Sequence, residues 1–541
     1  MTLDGFLTFL TLILAALAVT PSVVRLRFLM RWRIPALTGA ITFGLVLYLE
    51  FYHALVRPCP NWLGGACSWL LLTERSPVTP AQWAFVLVLV WMAFAICAMI
   101  RPRVSASSLP QLARLVDTLT SEHRWSELIP LLEPNLALIT LAARRRLWRS
   151  RLRDWLESLR NKQTPLALLQ SILANGETEK PTHQWIKALK RWFSYVSIIV
   201  PSGDNAERAA NDILRVVFRS DGLMEYIVTF RPEFGIEILK IDVHGVHDFS
   251  DKYLVGLIES PQSLLYAEIR HNLNKGRDGY EYPAHNRLLH YLFCPCKNAE
   301  RLEAYKPIGD FLSAKLRADN GDYINFLNGS SERYYDERWR DPGFISILYF
   351  ELMVTAAIWQ GIKWHMWLHY YPHFLERLVE TFDGSDPNLS PYSETPTRGT
   401  ELIAEIVRNL LGWITVVEDL PATSVHKKPS STKPDFDNAN IPKAAAVALG
   451  ACFKYLLEAP HLPTRLLDSL HSSVMRHIRN LRPTTDGEMR QLLINCIIRR
   501  GITGPDAMYG ARLKGLFSGT DHVLKAELQD YEQALHAEYG P

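Results

Sequence analysis

The chain lacks the motifs by which common nucleotide-using and hydrolytic enzymes announce themselves. No GxxxxGK[ST] loop occurs, and no GxGxxG follows a strand-like run, so neither usual phosphate cradle is present. The GxSxG nucleophile elbow and the kinase signature set are also missing. Charge of one sign is not in excess. Lys and Arg number 59 against 56 Asp and Glu, for a net charge of +3, which gives no general reason to expect nucleic acid as a partner. Cysteine is sparse, at seven residues, and no two stand in the CxxC spacing of zinc or thioredoxin motifs; Cys294-Pro-Cys296 is the nearest approach. These absences argue against a familiar ATPase or hydrolase and leave an unfamiliar enzyme open.

What the chain does have is three long apolar runs near its start: Gly5–Val24, Ile34–Val56 and Ala81–Ile100. Each has about the 20 residues that a helix needs to cross a hydrocarbon core of roughly 30 Å. The first contains no charge, follows the acidic Asp4 and precedes Arg25 and Arg27. A signal peptide has the opposite polarity, with its basic region ahead of a shorter apolar stretch, so a retained membrane helix fits better than a cleaved leader. Trp83 stands at the start of the third run, where an interfacial aromatic belongs.

Arginine placement orients these runs. Arg25, Arg27, Arg31 and Arg33 fill the first connection, and Arg101 and Arg103 follow the third run at once. Basic residues near span ends stay on the cytoplasmic side. The expected topology is N-terminus outside, first loop inside, second loop outside and the long C-terminal region in the cytosol, in a bacterial inner membrane. Cys59 and Cys67 both fall in the loop placed outside, where a disulfide between them would persist. Glu50 and His53 share a face near the end of the second run, within reach of the interface, so an ion-carrying role is the weaker reading.

The remainder reads as mainly α. Expected helices include a short pair over 108–132, one long helix over 136–159, and others over 185–200, 205–218, 263–273, 286–293, 307–318, 344–371, 373–382, 401–417, 444–457, 464–479, 487–499 and 523–538. Met224–Phe230 and Phe234–Ile241 are rich in β-branched and aromatic residues around Arg231-Pro232 and Gly235, and suggest one small β-hairpin, or extended segments packed on helices. Phe344–Ile362 is long enough to be a fourth span, but Glu351 in its middle favours a buried core helix. Residues 381–399 and 421–442 are rich in Pro, Ser, Thr, Asp and Asn and read as linkers. The expected organisation is a three-span anchor (1–103), a helical cytosolic domain (104–420), a flexible linker (421–442) and a C-terminal helical module (443–541).

Three segments carry candidate chemistry. The first is a basic amphipathic stretch close behind the third run. Arg144, Arg145, Arg146, Arg149, Arg151 and Arg153 flank an apolar stripe containing Trp148 and Trp155. Such a helix can lie on anionic lipid headgroups, grip nucleic-acid phosphates, or present a solvated face of a domain. The second is His244, His247, Asp248 and Asp251, two imidazoles and two carboxylates close enough to share a helix face and suit a divalent metal. The His247-Asp248 pair resembles the doublet of HD-type metal phosphohydrolases, a resemblance that spans one dipeptide; the alternative is a helix start capped by Asp248 or Ser250. The third is Trp364, His365, Trp367 and His369. His365 and His369 have metal-ligand spacing, but Met366 stands where an HExxH helix has its Glu. An aromatic wall or an interaction surface is the better reading.

The functional expectation is therefore a membrane-anchored, non-enzymatic scaffold, sensor or effector. Its helical cytosolic region would bind a protein partner near the inner leaflet, with the bilayer and its anionic headgroups as further contacts. The alternatives are a membrane-tethered metal hydrolase built on His244, His247 and Asp248, and a membrane-permeabilising effector of a bacterial defence or toxin system. No cofactor follows from the sequence.

Overall fold

The computed structural model describes residues 11, 33–50, 80–100, 104–145, 204–271, 274–276, 279–317, 321–363, 366–435, 439–481 and 488–540. The protein is mainly helical, with one small antiparallel two-stranded sheet among the described residues. It divides into two compact units, one of residues 1–223 with 241–243, the other of 224–240 with 244–541.

In the first unit, α1 (Arg33–Glu50) and α2 (Pro80–Ile100) pair with each other. Val46, Ala84 and Val88 form the seam, with Leu49 packed on it. Gly39 makes room for the Trp91 ring, whose indole N–H donates to the Pro35 carbonyl at 3.1 Å. The outward residues of the pair are large and apolar: Leu37, Ile41, Phe85, Val90 and Phe94 are all exposed. The first apolar run lies outside the described residues apart from Thr11, as do Cys59, Cys67 and His53.

The same unit contains α3 (Leu109–Ser121), α4 (Trp125–Leu132), α5 (Leu136–Ala143) and α6 (Asp204–Arg219). The expected pair over 108–132 is present and breaks at Glu122–Arg124, with His123 in the left-handed region. The long helix expected over 136–159 stops at Ala143. Arg145 adopts a left-handed φ of 52°, and the amides of Arg144 and Arg145 close back onto Thr140 and Ala142. On α6, Ala209, Ala210, Ile213, Leu214 and Val217 recur at helical spacing and are buried where α3 and α5 pack.

The hairpin expected over 224–241 is not formed. Its two halves lie in helices α7 (Asp221–Phe230) and α8 (Pro232–Leu239). Leu223, Met224, Ile227 and Val228 are buried at helical spacing, and Pro232 sits at the first turn of α8, where its missing N–H costs nothing. Gly235 is a close approach, not a turn: a Cβ there would lie 2.4 Å from the Tyr253 ring. Helix packing thus overrides the β-branched composition.

The second unit continues with α9 (Val246–Glu259) and α10 (Leu264–His271), then the two strands β1 (Lys275–Gly276) and β2 (Gly279–Tyr280), in register Lys275 to Tyr280. Then come α11 (Arg287–Phe293), α12 (Tyr305–Arg317), α13 (Pro342–Trp359), α14 (Tyr370–Glu380), α15 (Arg398–Thr415), α16 (Ile441–Glu458), α17 (Thr464–Asn480), α18 (Glu488–Ile498), α19 (Ala507–Ser518) and α20 (Gln529–Tyr539). The single helices expected over 344–371 and 523–538 are each interrupted, at Gln360–Lys363 and at Glu527–Leu528, and α19 was not anticipated.

Among the described residues, two helical stretches are long and apolar enough to cross a membrane, Trp125–Ala143 and Pro342–Trp359, while Pro35–Leu49 of α1 and Gln82–Cys97 of α2 are apolar but shorter. The first runs through α4, a short 3-10 turn and α5. The second is α13, which is 89% buried inside the protein and forms the centre of its unit. Asp341 caps α13 by accepting from the Gly343 and Phe344 amides, and is itself held by the hydroxyls of Tyr323 and Tyr334.

The stretch expected as a flexible linker, 421–442, is irregular up to the start of α16, and several of its described residues bond to neighbouring elements. His426 is fully buried: its Nε2 meets the Ile362 carbonyl at 2.9 Å and its Nδ1 accepts from the Ile441 amide at 3.3 Å. Lys443, also buried, donates to Ser430 and Ser431 and pairs with Asp435. Helices α15 and α16, on either side, pack together within the second compact unit. Polar composition here reflects side chains that bond the core rather than water. The segment 381–399 behaves alike, with Ser331 bonded to Thr395 and Thr397 capping α15.

Candidate functional site

The residues singled out from the sequence do not converge. His244 precedes Gly245, whose left-handed φ of 90° starts α9. His247 and Asp248 point to solvent from the first turn, and His244 is exposed as well. Asp251 is half-buried, and burial raises its carboxyl above the ordinary range. Among the described residues, no group of three or more His, Cys, Asp or Glu side chains is arranged to hold a metal ion.

The basic stretch is described only at its start. Arg144 pairs with Asp242 at 2.9 Å and Arg145 with Glu207 at 2.5 Å, so both are engaged within their own unit. Arg146, Arg149, Arg151 and Arg153 lie outside the described residues. So do Trp364, His365 and the side chain of Trp367, while His369 is exposed on a 3-10 turn leading into α14.

A cavity of about 650 Å³ lies elsewhere in the second unit. That is the size range of small-molecule sites, roughly 300–1,000 Å³. The β1–β2 ribbon supplies Lys275, Gly276 and Gly279, and α13 supplies Thr355, Ile358 and Trp359. Gly412 and Thr415 come from the end of α15, Val416, Glu418 and Asp419 from the turn after it, and Asn480 from the end of α17.

Local geometry explains why the ribbon can lie here. Gly279 has φ of 100°, a region that favours glycine, and a Cβ there would come within 3.0 Å of Trp359 and 3.4 Å of Thr355. Only a residue without a side chain lets the ribbon reach the face of α13. That face reads Glu351, Thr355, Ile358 and Trp359, spaced to fall on one side of the helix.

Glu351 sits directly behind the cavity wall, only 5% exposed. Its Oε1 accepts from Lys275 Nζ at 3.0 Å, from the Tyr280 hydroxyl at 3.3 Å and from the Thr355 hydroxyl at 3.3 Å. The Trp413 indole N–H also favours the ionised Glu351 carboxylate, although neither it nor Oε2 meets strict hydrogen-bond geometry. Burial raises the Glu351 pKa, and Lys275 opposes the rise. Lys275 also lies 5.1 Å from the centre of the Tyr280 ring.

None of the residues that line this cavity was a site candidate in the sequence. Glu351 stood out as a charge within an apolar run, and a buried carboxylate needs a partner. The Asp278-Gly279 pair is a turn signal of the sequence. Glu418, Asp419 and Asn480 left no local signal, because the turn after α15 and the end of α17, distant in sequence, bring them together. Comparison with known protein families, with curated proteins and with solved structures finds no match to this chain.

Proposed function

We propose that this protein is a membrane-anchored, non-enzymatic binding protein, a scaffold, sensor or effector whose large helical region faces the cytosol. One observation carries the reading: the exposed side chains of α1 and α2. Leu37 is 65% exposed, Ile41 56% and Val90 62%, and α2 has no charged residue along its length. A contiguous apolar surface of this kind is unfavourable in water and favourable against acyl chains. The first apolar run supplies a third span, and the arginines around it set the cytosolic side. Arg146, Arg149, Arg151 and Arg153 would then stand near the inner leaflet and its anionic headgroups. No geometric observation favours the metal hydrolase, since His244, His247 and Asp248 are exposed and not gathered around a common point.

The test is alkaline carbonate extraction of membranes from cells expressing the full chain, with labelling by a membrane-impermeant maleimide. The protein should stay in the pellet. Cys294, which is exposed, should react only after permeabilisation. Release into the supernatant would overturn the anchor, and labelling of Cys294 in intact cells would overturn the orientation.

A further inference from the structure

One imidazole stands among the apolar core positions of α17. Leu470, Val474, Met475 and Ile478 are buried at helical spacing, and His471 is buried with them, only 1% exposed. Its Nε2 has no hydrogen-bond partner among the described residues. The Tyr531 ring of α20 lies edge-on to it, with centroids 6.5 Å apart, and the Tyr531 hydroxyl is likewise buried without a partner there. Phe517 of α19 packs on Tyr531 in turn, at 5.2 Å. An imidazole in such surroundings stays neutral, because burial holds its pKa down to about 4.

The charged groups on the surrounding elements are committed elsewhere. Arg490 of α18 forks onto Asp530 of α20, at 2.7 Å to each carboxylate oxygen, and also holds the Ile478 and Glu527 carbonyls. Lys514 of α19 donates to the Tyr539 carbonyl, and Lys525 of the short helix His522–Ala526 donates to that of Ser518. On α15, Arg408 pairs with Glu405. On α17 itself, Arg479 stands 3.6 Å from Glu527, His477 bonds the Ser473 carbonyl, and Asp468 and Arg476 are exposed, as are His522 and His536. Among the described residues none of these moves the His471 pKa; burial alone does. The hydrogen bonds from Arg490 hold Asp530 below the ordinary carboxylate range, so it remains ionised wherever His471 changes state.

We propose that α20 is an acid-sensitive latch, docked while His471 is neutral and released when that imidazole takes up a proton. With α20 released, the imidazole meets water and binds a proton at its ordinary value of about 6.5. With α20 docked, it refuses the proton until the pH reaches about 4. The latch is therefore at full strength above the ordinary value and weakens as the pH falls from there toward the lowered one. At about pH 5 this linkage multiplies the opening constant roughly 30-fold. The Arg490–Asp530 fork does not cause the change, since Asp530 keeps its charge throughout. Release brings Leu528, Tyr531 and Leu535, all buried in the docked state, to the surface. This inference does not depend on membrane anchoring and survives if that reading fails.

The test is amide hydrogen exchange of the full chain in zwitterionic lipid nanodiscs, read by mass spectrometry at about pH 7.5 and about pH 5 and corrected for the intrinsic pH dependence of exchange. Opening of α20 should rise roughly 30-fold between the two, while α13 should not follow. His471→Gln, which cannot take the proton, should abolish the rise. His471→Phe keeps a ring in the same place and should abolish it too, which covers the case in which the Gln variant fails to fold. His536→Gln, at an exposed position of α20, should leave the rise intact. A parent whose α20 opening changes less than about threefold, a rise that persists without His471, a rise lost in His536→Gln, or an equal rise throughout the second unit would each overturn the proposal.

Discussion

Helices α2 and α13 are nearly alike in length and apolar content, yet their surroundings are opposite. On α2, Phe85, Val90 and Phe94 face outward, and the buried residues are small or β-branched, Ala84, Val88 and Ala95. On α13, everything from Gly343 to Ile358 is buried, and every side around it is covered by protein. The difference in sequence is not hydrophobicity but the polar residues inside the run. Helix α13 carries Ser346, Glu351 and Thr355, each with a partner, whereas α2 carries no charge at all. A long apolar helix with an internal carboxylate belongs in a protein core that can supply the counter-charge.

The largest effect that would test this contrast is a charge on the buried helix. Ile347 is fully buried, so Ile347→Asp leaves an unpaired carboxylate with no water and should cost more than about 4 kcal/mol. The second unit should lose its cooperative thermal transition, read by circular dichroism of the full chain. The matching change on α2 is Val90→Asp, at a 62% exposed position. If α2 faces acyl chains, the cost is about 3 kcal/mol, seen as reduced membrane insertion. A Val90→Asp chain that inserts as well as the parent would mean that this face meets water, and the contrast between the helices would collapse.

These helices also show how far the sequence could be read. The apolar period and the lone Glu351 were enough to place α13 in a core. Helix ends were less legible: α5 stops at Ala143 because Arg145 turns left-handed, and its neighbours Arg144 and Arg145 are drawn to Asp242 and Glu207, which lie far along the chain. The Pro- and Ser-rich segment 421–442 resembled a linker because its role is to bond other elements, and a buried His426 between Ile362 and Ile441 has no one-dimensional signature. The cavity was invisible for the same reason. Its residues come from two strands, three helix ends and one turn, each of which looks ordinary alone.

A smaller effect concerns the ribbon that gives Glu351 its partner. Gly279→Val would force a branched side chain into a left-handed φ and against Trp359 and Thr355. Strain of this kind costs about 1–3 kcal/mol. The expected result is a lower melting temperature together with faster amide exchange at Tyr280. Exchange that stays slow would mean that the ribbon does not need glycine, and that Lys275 reaches Glu351 by some other route.

The smallest effect is the most specific to a carboxylate inside an apolar helix. Because burial raises the Glu351 pKa, the folded protein holds this proton where the unfolded chain has released it. Stability therefore falls as pH rises from the ordinary carboxylate range, about pH 4, through the raised value. Glu351→Gln keeps the shape and removes the titration. The two proteins should have similar denaturation midpoints below the ordinary carboxylate range. The variant should draw ahead as pH rises, and the gap should level off once Glu351 is ionised in both states. Lys275→Met removes the opposing charge 3.0 Å away, so it should push the level portion to higher pH without changing the sign of the slope. A Gln variant that instead loses stability relative to the parent across the rising window would show that attraction to Lys275 outweighs desolvation. The internal carboxylate of α13 would then be a net source of stability rather than a cost borne for the site it supports.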